Sequence, residues 1–235
     1  MGTAINVVAI IVGGAIGLLL GPRLPERVRQ TVVAGMGLFT LAYALKQFLT
    51  TANALLVLGA ILIGALLGEW WQIEAGLARL GEWLERKFSP QTANGAGAPA
   101  TGSRFVRGFL SASLIFCIGP MAILGAIQDG VTGDYATLAI KSILDGFIAL
   151  AFASSLGVGV LFSALPILVY QGAITLLAVQ VQAVVTPVMM TEMTAAGGVI
   201  LMGVAVSSLL EIRQIRAGNF LPALVVAPIL AAIFL

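Results

Sequence analysis

The chain has 235 residues, of which 60% are hydrophobic and 9% are charged, with a net charge of +2 and a mean hydropathy of +1.08. An average soluble domain is about a quarter charged, so this composition excludes a water-soluble enzyme and indicates a protein of the lipid bilayer. Because histidine is absent and Cys117 is the one cysteine, the sequence also excludes zinc sites, haem sites, disulfides and Ser-His-Asp triads.

The apolar runs between charges predict the membrane spans, because a spanning helix needs about 20 apolar residues and charges are rare at mid-membrane. The first run lacks the basic start and the cleavage site of a signal peptide, so it is interpreted as a retained span. The uncharged stretch from Gly146 to Thr191 is too long for one helix and is divided near Gly157. Eight spans result, although seven or nine also fit: 1–22, between Arg29 and Lys46, 47–68, 108–128, two between about Thr137 and Thr191, 193–210 and 217–235.

The basic residues predict the orientation of these spans. Ten of the twelve lie after spans 1, 3 and 7, and the exceptions are Lys46 and Lys141. The positive-inside rule therefore places the odd-numbered connections in the cytoplasm and both termini outside.

The connection between spans 3 and 4 is the longest polar segment. Over 69–88, apolar residues recur at helical spacing beside Trp70, Trp71 and Trp83. This pattern predicts an amphipathic helix lying in the cytoplasmic interface, with a continuation of span 3 into water as the alternative. The small, uncharged residues of 89–103 predict a flexible linker. The chain is therefore divided into 1–68 with spans 1–3, 104–128 with span 4, and 129–235 with spans 5–8. The segment 104–128 includes the basic residues before the apolar run of span 4.

Two stretches resemble each other and indicate a duplication. Glu69-Trp-Trp-Gln-Ile-Glu-Ala-Gly76 follows span 3, Glu211-Ile-Arg-Gln-Ile-Arg-Ala-Gly218 follows span 7, and five of eight positions are identical. Two repeats of four spans would share one orientation and enclose a central path, as in many transporters. A duplicated bundle without a path is the alternative. Glu69 and Glu211 are interpreted as interfacial caps, with a symmetric gate or ion site as the second interpretation.

Lys141 and Asp145 form the first candidate site. Four residues apart on a helix, they share a face and can pair, whereas either charge alone would be costly in hydrocarbon. The pair is interpreted as a substrate or proton-coupling site; a later start of span 5 would leave it merely interfacial. In span 4, Gly119-Pro120 predicts a helix break, which lines a cavity or is a simple packing kink.

The remaining polar residues divide between the loops and the spans. Gln128, Asp129 and Asp134 follow span 4, where they would draw cations toward an outer entrance or form an ordinary polar turn. Within the spans, amide and phenol groups are predicted to join helices or, less commonly, to contact a ligand. These residues are Asn6, Tyr170, Gln171 and Asn219. Gly13, Gly17 and Gly21 form a small-residue stripe that predicts close helix packing.

Several of these motifs together resemble the YqgA-like bacterial inner-membrane proteins, a family of unknown function. The resemblance covers nearly the whole chain, and the motifs that carry it are Cys117-x-Gly119-Pro120-Met121, Gln128-Asp129-Gly130, Gly133-Asp134, Lys141-Ser142-x-x-Asp145-Gly146, Ser163-Ala164-x-Pro166 and Tyr170-Gln171-Gly172. It implies a multi-pass helical protein of a prokaryotic cytoplasmic membrane. It implies no substrate and no residue roles.

The sequence therefore predicts an all-α, polytopic membrane protein with about eight spans in two parallel repeats. The favoured function is a small secondary transporter of a small polar or ionic solute, with no cofactor and no nucleic-acid partner. A passive channel and a non-transporting scaffold or sensor are the alternatives, and the sequence indicates no enzyme. The glycine-rich helix faces are also compatible with a homodimer.

Overall fold

The computed structural model describes residues 1–88 and 103–235, and these residues form helices and short connections without a strand. The helices are α1 (Gly2–Leu20), α2 (Glu26–Phe48), α3 (Ala54–Trp71), α4 (Ile73–Phe88), α5 (Arg104–Ile118), α6 (Pro120–Thr132), α7 (Ala136–Leu156), α8 (Ala164–Leu176), α9 (Ala178–Val184), α10 (Pro187–Val204) and α11 (Ala223–Phe234). The 3₁₀ turns Gly21–Arg23, Val158–Ser163 and Ala217–Phe220 precede or follow helices, and a π-helical turn, Ala205–Leu209, extends α10.

The described residues include seven helical segments long and apolar enough to cross a membrane. They are Gly2–Arg23, Glu26–Phe48, Ala54–Trp71, Ala136–Leu156, Val158–Leu176, Pro187–Leu209 and Ala217–Phe234. Helices α5 and α6 form a pair bent by 59° that would be an eighth span if it crosses as one unit. The prediction of an all-α, multi-pass membrane protein is therefore confirmed.

Residues with positive φ end two of these helices, α7 and α3. Helix α7 ends at Leu156 because Gly157 has φ +85°, which confirms the predicted division of the long uncharged stretch. Helix α3 ends at Trp71 because Gln72 adopts φ +51°, so α4 is a separate helix that begins at Ile73. The predicted linker, 89–103, lies outside the described residues except for Ser103.

The chain divides into two compact units, each built from segments of both sequence halves. Unit 1 comprises Met1–Val33, Gly76–Cys117 and Met121–Val179, and unit 2 comprises Ala34–Ala75, Ile118–Pro120 and Gln180–Leu235. The proposed four-span repeat stays a prediction.

In unit 1, the glycine stripe of α1 packs directly against the backbone of α7. A methyl group on Gly13 or Gly17 would collide with the carbonyl oxygen of Gly146 or Leu150, respectively, and one on Gly21 would lie 2.8 Å from that of Ser154. The contacting residue numbers increase together along the two helices, so α1 and α7 run parallel. The predicted packing role of the stripe is confirmed.

In unit 2, glycines also bring antiparallel helices into close backbone contact. A methyl group on Gly64 would lie 2.5 Å from the Ala223 nitrogen, and one on Gly198 would lie 2.6 Å from the Ala44 oxygen. Small apolar residues fill the core between α3, α10 and α11: Val57, Ala60, Ala195, Ala196 and Ala227.

Gly17→Ala is expected to destabilise the protein, because the added methyl group collides with backbone rather than with a movable side chain. Overpacking costs about 1–3 kcal/mol, so the midpoint of thermal unfolding in detergent should fall. Gly35→Ala is the control, since Gly35 is also helical and its methyl group would meet nothing within 4 Å. Equal midpoints in the two variants would contradict the close contact between α1 and α7.

Candidate functional site

Lys141 and Asp145 form an ion pair in the interior of unit 1. The Lys141 ammonium donates to Asp145 Oδ2, and the two residues are only 4% and 5% exposed. Because α7 begins at Ala136, Lys141 lies in its second turn rather than before it. The burial favours the interpretation in which the pair faces the protein interior.

Two buried amides from neighbouring helices extend this ion pair. Asn6 of α1 and Gln171 of α8 are fully buried, and Asn6 Nδ2 donates to Gln171 Oε1 at 3.1 Å. The Asn6 side chain also lies close enough to the Asp145 carboxylate to interact electrostatically with it. Asn6, Lys141, Asp145 and Gln171 therefore form one continuous group, here called the polar cluster.

The polar cluster has hydrogen-bonding capacity that the described residues do not use. Asn6 Oδ1, an acceptor, and Gln171 Nε2, a donor, are buried without a partner among the described residues. Most buried polar atoms in proteins have a partner, so these two atoms could bind a solute or water. The Phe116 ring lies 6.0 Å from Lys141 Nζ and gives the ammonium a second favourable contact.

Of the other predicted site residues, Tyr170 lies beside the polar cluster in sequence, whereas Gly119 and Pro120 of the helix break are not grouped with it. Tyr170 precedes Gln171 and is half-buried, and Cys117 lies close enough to Lys141 and Asp145 to interact electrostatically with them. Gly119 lies between α5 and α6, where a methyl group would meet nothing within 4 Å. Gly119 and Pro120 belong to unit 2, so the structure does not group them with the polar cluster.

The predicted residues at the end of α6 and in the connection after it, Gln128, Asp129 and Asp134, have structural partners. The Asp129 side chain is 3% exposed and accepts from the Gly2 amide at 2.9 Å and from the Met1 amine at 3.0 Å. Gln128 Oε1 accepts from the Thr137 hydroxyl at 2.7 Å, and Asp134 accepts from the Ala136 amide at 2.9 Å. An attraction for cations at this end stays a prediction.

In unit 2, the two copies of the repeated motif are joined by a reciprocal hydrogen-bond network. Glu69 accepts from Arg216 Nη1 at 2.6 Å and from Asn219 Nδ2 at 2.7 Å. The Glu74 amide donates to Asn219 Oδ1 at 2.8 Å, and Glu74 Oε2 accepts from the Gly218 amide at 2.8 Å. Glu69 thus binds the Arg216 side chain of the second copy and the Asn219 side chain that follows it. Glu211 is exposed with φ +53°. The interpretation of Glu69 and Glu211 as interfacial caps stays a prediction.

Sequence reasoning missed Glu192, whose side chain is fully buried in unit 2. Its carboxylate accepts from the Thr51 hydroxyl and from the Ala52 amide, the latter at 2.8 Å. These donors lie in the connection between α2 and α3, directly before Asn53, whose own side chain caps α3, so Glu192 of α10 binds that connection and not the helix end. Only its position in a long uncharged region could have drawn attention to it.

Glu74 gives the Glu69–Asn219 network a pH dependence. Burial raises the pKa of the Glu74 carboxyl above its ordinary value, and the Gly218 hydrogen bond opposes that shift. A carboxyl group with a raised pKa stabilises the folded state most when protonated, so its contribution is lost as the pH rises through the folded-state pKa.

Glu74→Gln is therefore expected to be at least as stable as the parent at pH 7, since the amide oxygen still accepts from Gly218 without a buried charge. The gain over the parent should shrink as the pH is lowered toward 4.5. Thermal midpoints of both proteins between pH 4.5 and pH 8 measure this difference. A gap that widens at low pH would contradict the assignment.

Comparison of the chain with known proteins shows its family. Residues 1–232 match the family described as "Protein of unknown function (DUF554)". The chain is 33% identical to "Uncharacterized protein YqgA" of Escherichia coli (strain K12), over 99% of this chain and 96% of that protein. It is 29% identical to "Uncharacterized membrane protein YdfK" of Bacillus subtilis (strain 168), over 97% and 94%. No solved structure matches the chain significantly. The extent of these matches shows that the chain belongs to the DUF554 family.

Proposed function

We propose that this membrane protein is a secondary transporter that carries a small polar or ionic solute across the cytoplasmic membrane of a prokaryote. The observation that supports the proposal most directly is the polar cluster. A buried ion pair contributes little net stability, because well-packed apolar residues of similar volume are often as stable or more so. Ionisable residues buried within membrane-spanning segments are therefore interpreted first as functional residues.

The composition of the polar cluster also fits a transport site. Asn6 comes from the first half of the sequence, and Lys141, Asp145 and Gln171 come from the second. In transporters built from repeats, substrate sites lie where the repeats meet. A parallel repeat with both termini outside the cytoplasm, as the sequence predicts, would give the cluster this position. A homodimer is compatible with this arrangement.

The chemistry of the cluster suggests how a solute exchanges with it. Lys141 and Asp145 neutralise each other in the resting state, so the interior carries no net charge there. A solute that pairs with Lys141, or a proton that neutralises Asp145, releases the partner. The free Asn6 oxygen and Gln171 nitrogen then supply one acceptor and one donor. Phe116 keeps Lys141 in place while Asp145 is occupied.

Transport is tested with the purified protein in liposomes that contain a pH-sensitive dye. External amino acids, carboxylates, amines and inorganic ions are added one class at a time. At least one class should produce proton flux or saturable uptake, and Asp145→Asn should reduce it at least tenfold because the exchangeable charge is lost. Linear, unsaturated currents would indicate a channel instead. Arg86→Gln is the control, since the Arg86 side chain is 73% exposed on α4.

A paired variant separates function from folding. Asp145→Asn alone leaves Lys141 buried without a counter-charge, which costs about 3–5 kcal/mol. Lys141→Met with Asp145→Leu removes both charges, so its thermal midpoint should recover toward that of the parent while flux stays absent. Flux at the parental rate in this folded double variant would contradict the proposed site.

A further inference from the structure

Two arginines converge on the end of α7, away from the polar cluster. Ser155 is the next-to-last residue of α7, so its carbonyl oxygen has no donor within the helix. Arg104 Nε donates to this oxygen at 3.0 Å, Arg104 Nη2 donates to it as well, and Arg29 Nη2 donates at 3.4 Å. All three residues belong to unit 1. They are here called the arginine cluster.

The arginine cluster has more donors than acceptors. A carbonyl oxygen has two lone pairs, yet three N–H groups share this one. Arg29 Nε is buried without a partner among the described residues, and so is Ser155 Oγ. Ser155 is only 6% exposed, and the neighbouring Ser154 hydroxyl already donates to the Ala151 carbonyl at 2.8 Å. Capping of α7 alone leaves these donors unused.

The cluster also has an excess of positive charge. Glu26 lies 3.2 Å from Arg29, but its side chain is 67% exposed and water screens the interaction. Within the described residues, no carboxylate lies in ion-pairing distance of Arg104. Helix α5 begins at Arg104, so the partial positive charge of its N-terminus offsets the partial negative charge at the end of α7, and the two guanidinium groups supply the excess.

We infer that Arg29, Arg104 and the Ser155 hydroxyl bind an oxyanion of the phosphate class. Guanidinium groups match the geometry of phosphate oxygens, which would accept from Arg29 Nε and Ser155 Oγ together. The cluster lies at helix ends, on the side that the basic residues assign to the cytoplasm. Phosphate is available there as the headgroup of an anionic lipid or in solution. This inference does not rest on the proposed transport function.

The experiment measures ligand-induced stabilisation of the full-length protein in a nonionic detergent. One arm titrates sodium phosphate against sodium chloride at equal ionic strength. The other titrates phosphatidylglycerol against phosphatidylcholine in mixed micelles. A ligand that binds the folded state raises the thermal midpoint with its concentration, which gives an apparent dissociation constant. Stabilisation in both arms indicates binding of any phosphate, and stabilisation by phosphatidylglycerol alone indicates a lipid headgroup.

Ser155→Ala is the most informative variant, because it removes the unused hydroxyl and leaves the carbonyl oxygen in place. Its midpoint without ligand should equal that of the parent, while the apparent dissociation constant should rise about tenfold, as expected for a hydrogen bond to a charged group. Arg104→Gln should weaken binding at least as much, although it also removes a cap of α7 and lowers the midpoint without ligand. Arg86→Gln, on the exposed side of α4, should bind as the parent does.

Three results would overturn the inference. The first is the absence of stabilisation by either phosphate or phosphatidylglycerol. The second is unchanged binding in both Ser155→Ala and Arg104→Gln. The third is an equal loss in Arg86→Gln, which would show nonspecific attraction to positive charge.

Discussion

Lys141 and Asp145 can be buried in an apolar interior only because each neutralises the other. Removal of one partner leaves a charge that no nearby group compensates, which is far more costly than the loss of an exposed salt bridge. The pair stays out of water only because neighbouring helices pack closely around it; at an exposed position, water would hydrate both charged groups. Gly13 and Gly17 allow this packing by bringing α1 against the backbone of α7, which places Asn6 beside Asp145.

Several other buried polar groups in the described residues have partners at or next to helix ends. Asp129 accepts from the first amide of α1, Glu192 accepts from the Ala52 amide before α3, and Asn219 accepts from the Glu74 amide near the start of α4. Helix ends leave backbone groups without intrahelical partners, and these groups must be satisfied where water is scarce. The role of these three residues differs from that of the polar cluster, which lies within helices and keeps unpartnered atoms.

The sequence predicts features that depend on local spacing. The division at Gly157 follows from the length of an uncharged run, and the Lys141–Asp145 pair follows from a separation of four residues. The contact between Asn6 and Gln171 joins residues 165 positions apart, so neither residue reveals its partner. Glu192 carries a charge and therefore reads as the end of a span, whereas α10 begins five residues before it and buries its side chain. Periodicity identifies helices, but only packing selects which polar residues meet.

Helix α7 connects the two candidate sites of unit 1. Asp145 and Ser155 are ten residues apart, which corresponds to about 15 Å along a helix. Asp145 interacts with Asn6 of α1 in the first half of α7, while Arg29 and Arg104 bind the end of the helix. A helix fixed at both places moves as one body, since its own backbone hydrogen bonds leave it little freedom to bend. An anion that tightens the arginine cluster would therefore restrict the same helix that carries the exchangeable ion pair. The two sites differ in the ligands they would bind, and α7 is the element through which either could affect the other.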